Sequence, residues 1–475
     1  MIRRPNIILL IIDSLRVSNL SCYGYHRKTT PNIDAIAEQG ALFEHAFSVG
    51  CWTLPVHASL FTGLFPINHG VTISKDALPE NFPTLARHLQ ECGYQTVSFS
   101  NNAYISHITG LAQGFHLVED IWRQSNPRGI RRTRMGQVIK FLERFGTPAK
   151  PIIYLARVLQ KIRAVSKRKQ NQRDKGARIT NEKIQAWFRE DRDPNRPFFM
   201  FVNYMEPHQP YNPPYPYDRS FMPSRFSPMR VAQVGNNSNV IEKIGEGRGQ
   251  EDLEILRALY DGEVNYIDNR IGQLVRYLKS TEILDDTVLV ITSDHGDSLG
   301  EHNHIGHRMA LYEQLVHIPL IIRYPKLFDS SSRVFQCVSL LDLYPTFLEL
   351  AGANVPNESM NGLFSLMHPP SSDERPFIIA ENTAPKSQNS VIARMVRSDR
   401  YKYIWKSNHN HELYDIVRDP EELYNLTEAK PQAVEEMHEY LESWIRSAGE
   451  YRVEVGTAAY DEVLLERLRE LGYVD

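Results

Sequence analysis

The sequence predicts a large α/β domain built on a doubly wound, mostly parallel sheet, followed by a smaller C-terminal α+β domain. The 475 residues exceed what one ordinary hydrophobic core holds, which favours a large domain with a smaller partner. Continuously apolar, β-branched segments such as residues 7–12 are typical of strands buried on both faces. Helical segments alternate with these strands, and this alternation predicts a doubly wound sheet.

The predicted elements follow one another along the chain in this alternating order. The predicted strands are residues 7–12, 96–99, 198–202, 288–292 and 319–323. The predicted helices between them are residues 31–40, 84–92, 251–279 and 340–351. After about residue 370 the pattern changes to short strands, at 394–397 and 401–405, and then to two terminal helices. We therefore place the large domain at residues 1–370 and the small domain at residues 371–475.

A basic insertion interrupts the large domain at residues 123–178. It holds seventeen Lys and Arg residues against two acidic ones, and its apolar residues recur at helical spacing. A solvated surface is the ordinary explanation of such a segment, but the charge asymmetry favours an anionic partner. An anionic membrane surface and a polyanion both fit this description. We expect the insertion to pack as helices beside the mouth of the site, and residues 219–249 to form a long surface loop.

Composition and charge exclude several classes of protein. With 42% hydrophobic and 23% charged residues, the chain is not a coiled coil, a collagen-like chain or a disordered one. A net charge of −3 gives no reason to expect a specific nucleic-acid partner. The four cysteines are dispersed, which argues against a disulfide framework. No signal peptide or membrane span is evident, so we expect a cytoplasmic protein, peripheral at a membrane if the insertion binds lipid.

Two carboxylates and an imidazole follow strands of the predicted sheet. Asp13 comes directly after residues 7–12, and Asp294 and His295 come just after Thr292. Because the carboxyl ends of parallel strands meet at one edge of a sheet, we expect these side chains to converge. Carboxylate and imidazole groups together form a metal-ligand set. A helix cap or a salt bridge is the alternative for Asp13 alone.

Thr53 lies at the start of a predicted helix. Pro55 suits a first helical turn and Gly63 suits the C-terminal cap. A hydroxyl at this end faces the positive pole of the helix and its unpaired N–H groups. A neighbouring metal ion would lower the pKa of the hydroxyl and make it a nucleophile, with Thr53 as a further ligand. The alternative is that Thr53 only caps the helix.

An ordered series of motifs runs along the chain. The motifs are Pro5-Asn6-Ile7…Asp13, Tyr23-Gly24, Thr30-Pro31-Asn32-Ile33-Asp34, Thr53-x-Pro55-x-His57…Thr62-Gly63, Pro207-His208, Ser293-Asp294-His295-Gly296…Gly300-Glu301-His302, and Glu412-Leu413-Tyr414-Asp415…Asp419-Pro420-Glu421…Asn425-Leu426. This series resembles the sulfatase family of the alkaline phosphatase superfamily. The motifs cover almost the whole chain outside the basic insertion. The resemblance implies a large α/β domain with a small antiparallel-sheet domain, a divalent metal, and hydrolysis of an anionic sulfate or phosphate ester through a covalent intermediate.

The sequence departs from the resembled family at the nucleophile. Sulfatases carry Cys/Ser-x-Pro-x-Arg, whose first residue becomes formylglycine, whereas Thr53 and His57 occupy the first and last positions here. A sulfated formylglycine hydrate sheds sulfate by collapsing to the aldehyde, and threonine has no such route. Threonine nucleophiles of the same superfamily serve phosphodiesterases, pyrophosphatases and phosphoglycerol transferases. We therefore predict a hydrolase that prefers phosphate esters; a plain sulfate ester hydrolase and a phospho-group transferase acting on a lipid or glycan are the alternatives.

The substrate-binding positions implied by the resemblance also differ. The sulfate-binding Gly-Lys-x-His of the family falls at residues 100–103, so its Lys and His are absent and Asn101 takes the place of the Lys. A later active-site Lys of the family falls near His307 and Arg308, which compete for the role of binding the anion.

Two more histidines complete the predicted catalytic set. His208 is predicted to protonate the leaving oxygen or to bind the transferred group. His57 is predicted to contact the ester oxygens or to orient Thr53, and a packed structural histidine is the alternative for both. An imidazole ligand favours Mn²⁺ or Zn²⁺, with Ca²⁺ as the alternative. We expect one metal ion. A second ion is the alternative, and its candidate ligands are His208, His302, His304 and His307.

Overall fold

The computed structural model describes residues 4–72, 76–124, 174–234, 249–307, 310–353, 363–382 and 391–470. Its strands are β1 (Asn6–Ile12), β2 (Ala41–Phe47), β3 (Asp76–Ala77), β4 (Gln95–Ser100), β5 (Leu117–Asp120), β6 (Phe198–Tyr204), β7 (Thr287–Thr292), β8 (Ser298–Leu299), β9 (Ile305–Gly306), β10 (His317–Arg323), β11 (Ser332–Ser339), β12 (Ile378–Asn382), β13 (Ala393–Arg397), β14 (Tyr401–Lys406), β15 (Glu412–Asp415) and β16 (Gly456–Thr457). Its α-helices are α1 (Pro31–Ala37), α2 (Thr53–Thr62), α3 (Pro66–His69), α4 (Leu85–Glu91), α5 (Ile121–Gln124), α6 (Ala177–Glu190), α7 (Pro228–Gln233), α8 (Gln250–Ser280), α9 (Glu313–Val316), α10 (Leu343–Ala351), α11 (Pro431–Ala448) and α12 (Glu462–Glu470).

Eight strands of the described ranges form one large mixed sheet. Their order across the sheet is β11-β2-β10-β7-β1-β6-β4-β5. Neighbouring strands run parallel, except that β10 is antiparallel to both β2 and β7. The central strand β1 pairs Ile8 with Met200 of β6 on one side and with Leu289 of β7 on the other. The carboxyl ends of β6, β1 and β7 therefore lie side by side at one edge of the sheet.

Both faces of the large sheet are covered by helices, as its continuous apolar strands require. Side chains of β1 alternate between the faces because successive residues of a strand point to opposite sides. Ile7, Leu9 and Ile11 pack into a core that includes α2, α4 and α10. Residues 8, 10 and 12 pack into a second core with α1, α6 and α8. All six side chains are fully buried, and burial of each stabilises the fold by roughly 1.5–3 kcal/mol.

A small antiparallel sheet follows in the C-terminal part of the chain. Its strand order is β12-β13-β14-β15. One face packs on α11 through Met437 and Leu441. The other face packs on Phe47 at the end of β2 and on Val316 in α9, so the small sheet is attached to the large one beside the ends of β2 and β10. No helix among the described residues is both long and apolar enough to cross a membrane.

The predicted fold class is confirmed, with two corrections to individual elements. The helix predicted at residues 31–40 ends at Ala37, because the chain turns at Gly40 and passes close to β10. A Cβ atom at Gly40 would lie 2.3 Å from the backbone oxygen of Ile322, so only glycine fits this approach. The predicted loop at residues 219–249 contains the short helix α7, which begins with a Ser227 cap.

Some predictions fall outside the described residues. Most of the basic insertion, residues 125–173, is among them, so its position beside the site stays a prediction. Residues 235–248 of the predicted loop lie outside as well. The domain boundary near residue 370 also stays a prediction.

Candidate active site

The ends of β1 and β7 bring two carboxylates and an imidazole together. Asp13 directly follows β1, and its N–H continues the strand pairing by donating to the oxygen of Tyr204 at 2.9 Å. Asp294 and His295 follow β7. The ligand atoms of Asp13, Asp294 and His295 all lie within 4.8 Å of one another, and all three side chains are buried. This is the convergence that the parallel pairing of β1 with β7 predicts.

The hydrogen bonds of this cluster leave lone pairs facing one another. His295 donates from Nδ1 to the oxygen of Gly296 at 2.9 Å, which leaves its Nε2 as an acceptor, 3.5 Å from Asp294 Oδ2. Asp294 Oδ1 accepts the N–H groups of Ser14 (3.2 Å) and His295 (2.9 Å). Asp294 Oδ2 has no hydrogen-bond partner among the described residues. An orphaned buried carboxylate oxygen beside an imidazole lone pair fits a bound cation.

Burial disfavours the ionised form of both carboxyl groups in this cluster. Burial, with the charge of Asp294 added, raises the pKa of Asp13 to about 7. Burial also raises the pKa of Asp294 to about 6. The same burial lowers the pKa of His295 to about 4, so its imidazole is neutral and available as a ligand. Two repelling carboxylates and a neutral imidazole are the donor set of a divalent cation such as Mn²⁺ or Zn²⁺.

Thr53 is the first residue of α2 and points toward the same cluster. Its Oγ1 lies 3.4 Å from Nε2 of His295, and its side chain is fully buried. The helix ends as predicted at Gly63, which has a φ of 69°. A hydroxyl at the positive end of a helix and beside the carboxylate cluster is placed where a negatively charged group would be stabilised.

His57, one turn further along α2, is a neutral and buried imidazole. Its Nδ1 donates to the backbone oxygen of Thr53 at 2.8 Å, and Nδ1 lies 3.8 Å from Asp294 Oδ2. Its Nε2 has no hydrogen-bond partner among the described residues. Burial lowers the pKa of His57 to about 4. His57 therefore fixes the first turn of the helix that carries Thr53 and brings no positive charge to the site.

His208 and His307 extend the site beyond the carboxylates. The ring of His307 lies between two other imidazoles, with its centroid 4.4 Å from that of His295 and 4.9 Å from that of His208. Burial lowers the pKa of His208 well below its usual range, and its Nδ1 donates to the oxygen of Gln209 at 2.7 Å. The three rings thus line one wall beside the carboxylate cluster.

A buried carboxylate controls the charge of His307. Burial opposes protonation of this imidazole, but Nδ1 of His307 donates to Asp297 Oδ1 at 2.9 Å, and this contact raises the pKa. The other oxygen of Asp297 accepts the hydroxyl of Tyr211. Among the four buried histidines of the site, His307 is therefore the one held toward its protonated form.

The remaining predicted residues lie apart from the cluster or outside the described residues. Asn101 donates to Thr180 Oγ1 and to the oxygen of Asn203, both at 2.8 Å, so its side chain is turned toward α6. Its neighbour Asn102 instead donates to Asp13 Oδ2 at 2.8 Å. Arg308 lies outside the described residues. His302 stacks on Tyr312 with ring centroids 3.7 Å apart, in keeping with a local structural role.

Sequence reasoning missed three residues of the site: Asn102, Asp297 and Tyr211. Asp297 had a signal, because it is a third acidic or imidazole residue within five positions after β7. Asn102 differs by one position from the predicted Asn101, and this single step turns the side chain to the other side of the chain. Tyr211 had no signal, since its contact with Asp297 joins residues that are 86 positions apart.

Comparison with known proteins connects this site to a family. The family model described as Sulfatase matches residues 5–353, and a second one, described as N-sulphoglucosamine sulphohydrolase, C-terminal, matches residues 300–447. The chain is 27% identical over 446 residues to an arylsulfatase of Clostridium perfringens, covering 89% of this chain and 90% of that protein. It is 26% identical to an N-acetylglucosamine-6-O-sulfatase of Bacteroides thetaiotaomicron, covering 89% and 83%. Its fold is similar to that of the phosphonate monoester hydrolase of Agrobacterium radiobacter, with a TM-score of 0.70 at 22% identity over 94% of this chain and 96% of that one.

Proposed function

The chain belongs to the sulfatase family of ester hydrolases, and we propose that its own reaction is hydrolysis of a phosphate ester with Thr53 as the nucleophile. The observation that carries this proposal is the position of the Thr53 hydroxyl. It begins α2 and lies 3.4 Å from His295, one of three residues whose ligand atoms fall within 4.8 Å of one another. Among the described residues, Thr53 carries the hydroxyl group that lies at the start of a helix and also contacts this cluster.

A divalent ion held by Asp13, Asp294 and His295 fits the residues of the site. The fit rests on the orphaned Asp294 Oδ2 and on the raised pKa of both carboxyl groups, which a cation would lower. When bound, such an ion would supply positive charge that stabilises a deprotonated hydroxyl and the developing charge on the ester oxygens. Asn102 donates to Asp13 and Ser14 donates to Asp294, so the neighbouring residues orient both carboxylates.

In the proposed reaction, the Thr53 oxygen attacks phosphorus and the bond to the leaving oxygen breaks. The Thr53 proton passes to solvent, and His208 gives a proton to the leaving oxygen. Burial keeps His208 neutral in this structure, but the negative charge of a bound ester favours its protonated form. Water then attacks the phosphorus of phospho-Thr53 and gives one proton to His208. The bond from phosphorus to the Thr53 oxygen breaks, phosphate is released, and the Thr53 oxygen takes a proton from solvent to become a hydroxyl again.

His307 supports the choice of an anionic substrate. It is the histidine that Asp297 holds toward its protonated form, and its ring lies against that of His208. A protonated imidazole at this position binds the non-bridging oxygens of the ester and offsets the charge that builds up on them. His57, by contrast, orients the turn that carries Thr53 through its bond to the Thr53 oxygen.

The chemistry of threonine supports phosphate over sulfate esters. A sulfated threonine has no aldehyde route for release, so water must attack sulfur again to free the residue. A phosphorylated threonine is released by the same in-line attack that formed it. Sulfate ester hydrolysis is the second candidate, because the curated relatives named above are an arylsulfatase and an N-acetylglucosamine-6-O-sulfatase.

The test is a panel of aryl esters assayed with a defined metal content. The purified protein is stripped with a chelator and returned to Mn²⁺, Zn²⁺ or Ca²⁺, and nitrophenyl sulfate, phosphate, phosphodiester and phosphonate esters are compared. The proposal expects phosphoester turnover to exceed sulfate turnover with Mn²⁺ or Zn²⁺. Robust sulfate hydrolysis without phosphoester hydrolysis would overturn it in favour of the second candidate.

A further inference from the structure

The described C-terminal end of the basic insertion turns into the protein rather than toward solvent. The side chain of Lys175 is 13% exposed, whereas that of Arg178, three residues later, is 52% exposed. Arg178 forms ion pairs on the surface of α6 with Glu182 and Asp174. Lys175 makes its contacts with the loop that carries His208. This end of the insertion is therefore part of the framework of the site.

Lys175 and a buried carboxylate hold that loop on both sides of His208. Lys175 Nζ donates to the backbone oxygen of His208 at 2.6 Å and to Glu263 Oε1 at 2.9 Å. The same oxygen of Glu263 accepts the N–H of Asn212 at 2.7 Å. Glu263 is buried within the 31-residue helix α8, which supplies a rigid support. One ion pair thus fixes the loop at residue 208 and again four residues later.

His208 has further contacts that fix its backbone and one side of its ring. Its backbone N–H donates to the oxygen of Met205 at 2.8 Å, and its Nδ1 donates to Gln209. The backbone N–H of Lys175 also donates to Glu206 Oε1 at 2.6 Å, which adds a third attachment of the same loop. Because Nδ1 donates to the backbone, we assign the proton transfer of the proposed reaction to Nε2. The position of that atom depends on the attachments of the backbone around it.

We propose that Lys175 and Glu263 are positioning residues that set the place of His208 for proton transfer to the leaving oxygen. This inference rests on the proposed function, in which His208 is the proton donor. A displacement of about 1 Å costs about 100-fold in rate when proton transfer needs a defined geometry. Because a leaving group of low pKa departs without a proton, the loss must grow as the pKa of the leaving group rises.

The experiment compares variants across a series of aryl esters whose leaving phenols differ in pKa. The series consists of aryl phosphates or of aryl sulfates, whichever the wild-type enzyme hydrolyses faster. Lys175→Met keeps the length of the side chain and removes its charge, and His208→Ala reports on the donor itself. For Lys175→Met we expect kcat to fall roughly 10- to 100-fold with the least acidic phenols and less than about threefold with nitrophenols. KM should stay nearly constant, and Lys175→Arg should recover most of the activity.

Arg178→Met is the matched control, because it removes a cation from the same end of the insertion without touching the loop. It should leave the dependence on leaving-group pKa unchanged. If His208→Ala shows a steeper dependence but Lys175→Met loses activity equally for every phenol, the inference is wrong and the proposed function stands. If His208→Ala itself shows no steeper dependence, the donor role fails and the inference fails with it.

A second variant keeps the inference testable if Lys175→Met does not fold. Glu263→Gln preserves the shape of the side chain and an acceptor for Asn212, and it weakens only the ion pair with Lys175. A folded Glu263→Gln enzyme with a steeper dependence on leaving-group pKa supports the positioning role. A folded Glu263→Gln enzyme with the wild-type dependence overturns it.

Discussion

Two groups of buried charged side chains, one at the edge of the large sheet and one beside the small sheet, differ in how their charges are compensated. The second group, here called the C-terminal ion network, consists of Glu313, Arg397, Lys402 and Glu422. Lys402 Nζ lies 2.8 Å from Glu422 Oε1 and 3.2 Å from Glu313 Oε1, and Arg397 Nε lies 3.3 Å from the same oxygen of Glu313. Two carboxylates meet two cations there, so the network compensates its own charge.

The carboxylates of the candidate active site have no such partners. No lysine or arginine in the described part of the chain forms an ion pair with Asp13 or Asp294. Burial raises the pKa of both groups. Burial also raises the pKa of Glu422 in the C-terminal ion network, but Lys402 and Arg397 overcome the effect of burial at Glu313 and hold its pKa low. A fold tolerates buried charge without a counter-charge mainly where a ligand supplies one. The comparison therefore separates a structural ion network from the carboxylates that the proposed divalent ion would compensate.

Replacing Thr53, the proposed nucleophile, should have the largest effect and should leave both groups of charges intact. We expect Thr53→Ala to reduce kcat by at least about 10⁴-fold, because the variant lacks the attacking oxygen of the proposed reaction. The thermal unfolding midpoint should change little. Rapid acid quench followed by peptide mass spectrometry should find phosphate on Thr53 in the wild-type enzyme only.

Thr62→Ala is the matched control for this change, since Thr62 is a buried threonine at the other end of the same helix. It bonds to the oxygen of Ala58 and not to the site. Its kcat should stay within a few-fold of wild type. Comparable activity of Thr53→Ala and Thr62→Ala would remove Thr53 from the mechanism.

Removal of the proposed metal ion should affect the active-site carboxylates and spare the C-terminal ion network. We expect chelation to reduce activity by roughly 10³-fold, and Mn²⁺ or Zn²⁺ to restore it, because the ion supplies several kcal/mol of charge stabilisation. An ion at 100 times its dissociation constant should stabilise the wild-type protein by about 2.7 kcal/mol. Asp294→Asn should lose both responses. Full activity after exhaustive chelation would contradict the assignment of Asp13, Asp294 and His295.

Breaking the C-terminal ion network should cost stability rather than activity. We expect Lys402→Met to lower the free energy of unfolding by about 3–5 kcal/mol, because Lys402 is fully buried and its removal leaves two carboxylates to repel each other. Lys326→Met is the control, since Lys326 and its partner Asp286 are 56% and 49% exposed. That surface pair should contribute less than about 1 kcal/mol in denaturant unfolding. Equal losses in the two variants would mean that burial does not distinguish the two pairs.

The strand ends that carry the site were predictable from the sequence, because buried parallel strands have a recognisable composition. Residues 7–12 and 288–292 form neighbouring strands, and the groups after them meet as predicted. The direction of β10 was not predictable. An apolar strand buried on both faces reads the same whether its neighbours run parallel or antiparallel.

The contacts around the carboxylates were less predictable than the carboxylates themselves. Side chains alternate in direction at a strand end, so an error of one position exchanges Asn101, which faces Thr180, for Asn102, which faces Asp13. Lys175 contacts the loop that carries His208, and nothing in the sequence of these two segments predicts that contact. The charge of the insertion favoured an anionic partner, with a solvated surface as the alternative, and gave no sign that its described end includes an inward-facing lysine.

The smallest expected effect is a pH-dependent difference in stability between two metal-free proteins. Asp13 has a pKa of about 7 in the fold, against an ordinary value of 3.8. A raised pKa of an acid means that the folded state favours the protonated form, so the contribution of Asp13 is full at low pH. It is lost as the pH rises from about 4 through 7. Asn at this position does not titrate, and Asp13→Asn should therefore gain stability relative to wild type over this window, on the order of 2 kcal/mol.

The difference between the two proteins isolates Asp13 from the other groups that titrate nearby. The pKa values of His57 and His295 are lowered, so each of these residues makes the folded protein less stable as the pH falls. Both residues are present in both proteins, so most of their contribution to the difference cancels. Denaturant unfolding at several pH values from 4 to 8, with a chelator present, measures the difference directly. Excess Mn²⁺ should then reverse the order above pH 7, because wild type binds the ion and Asp13→Asn loses a ligand. A difference that stays constant with pH, or an order that the ion does not reverse, would mean that the Asp13 carboxylate is compensated within the protein, as Glu313 is in the C-terminal ion network.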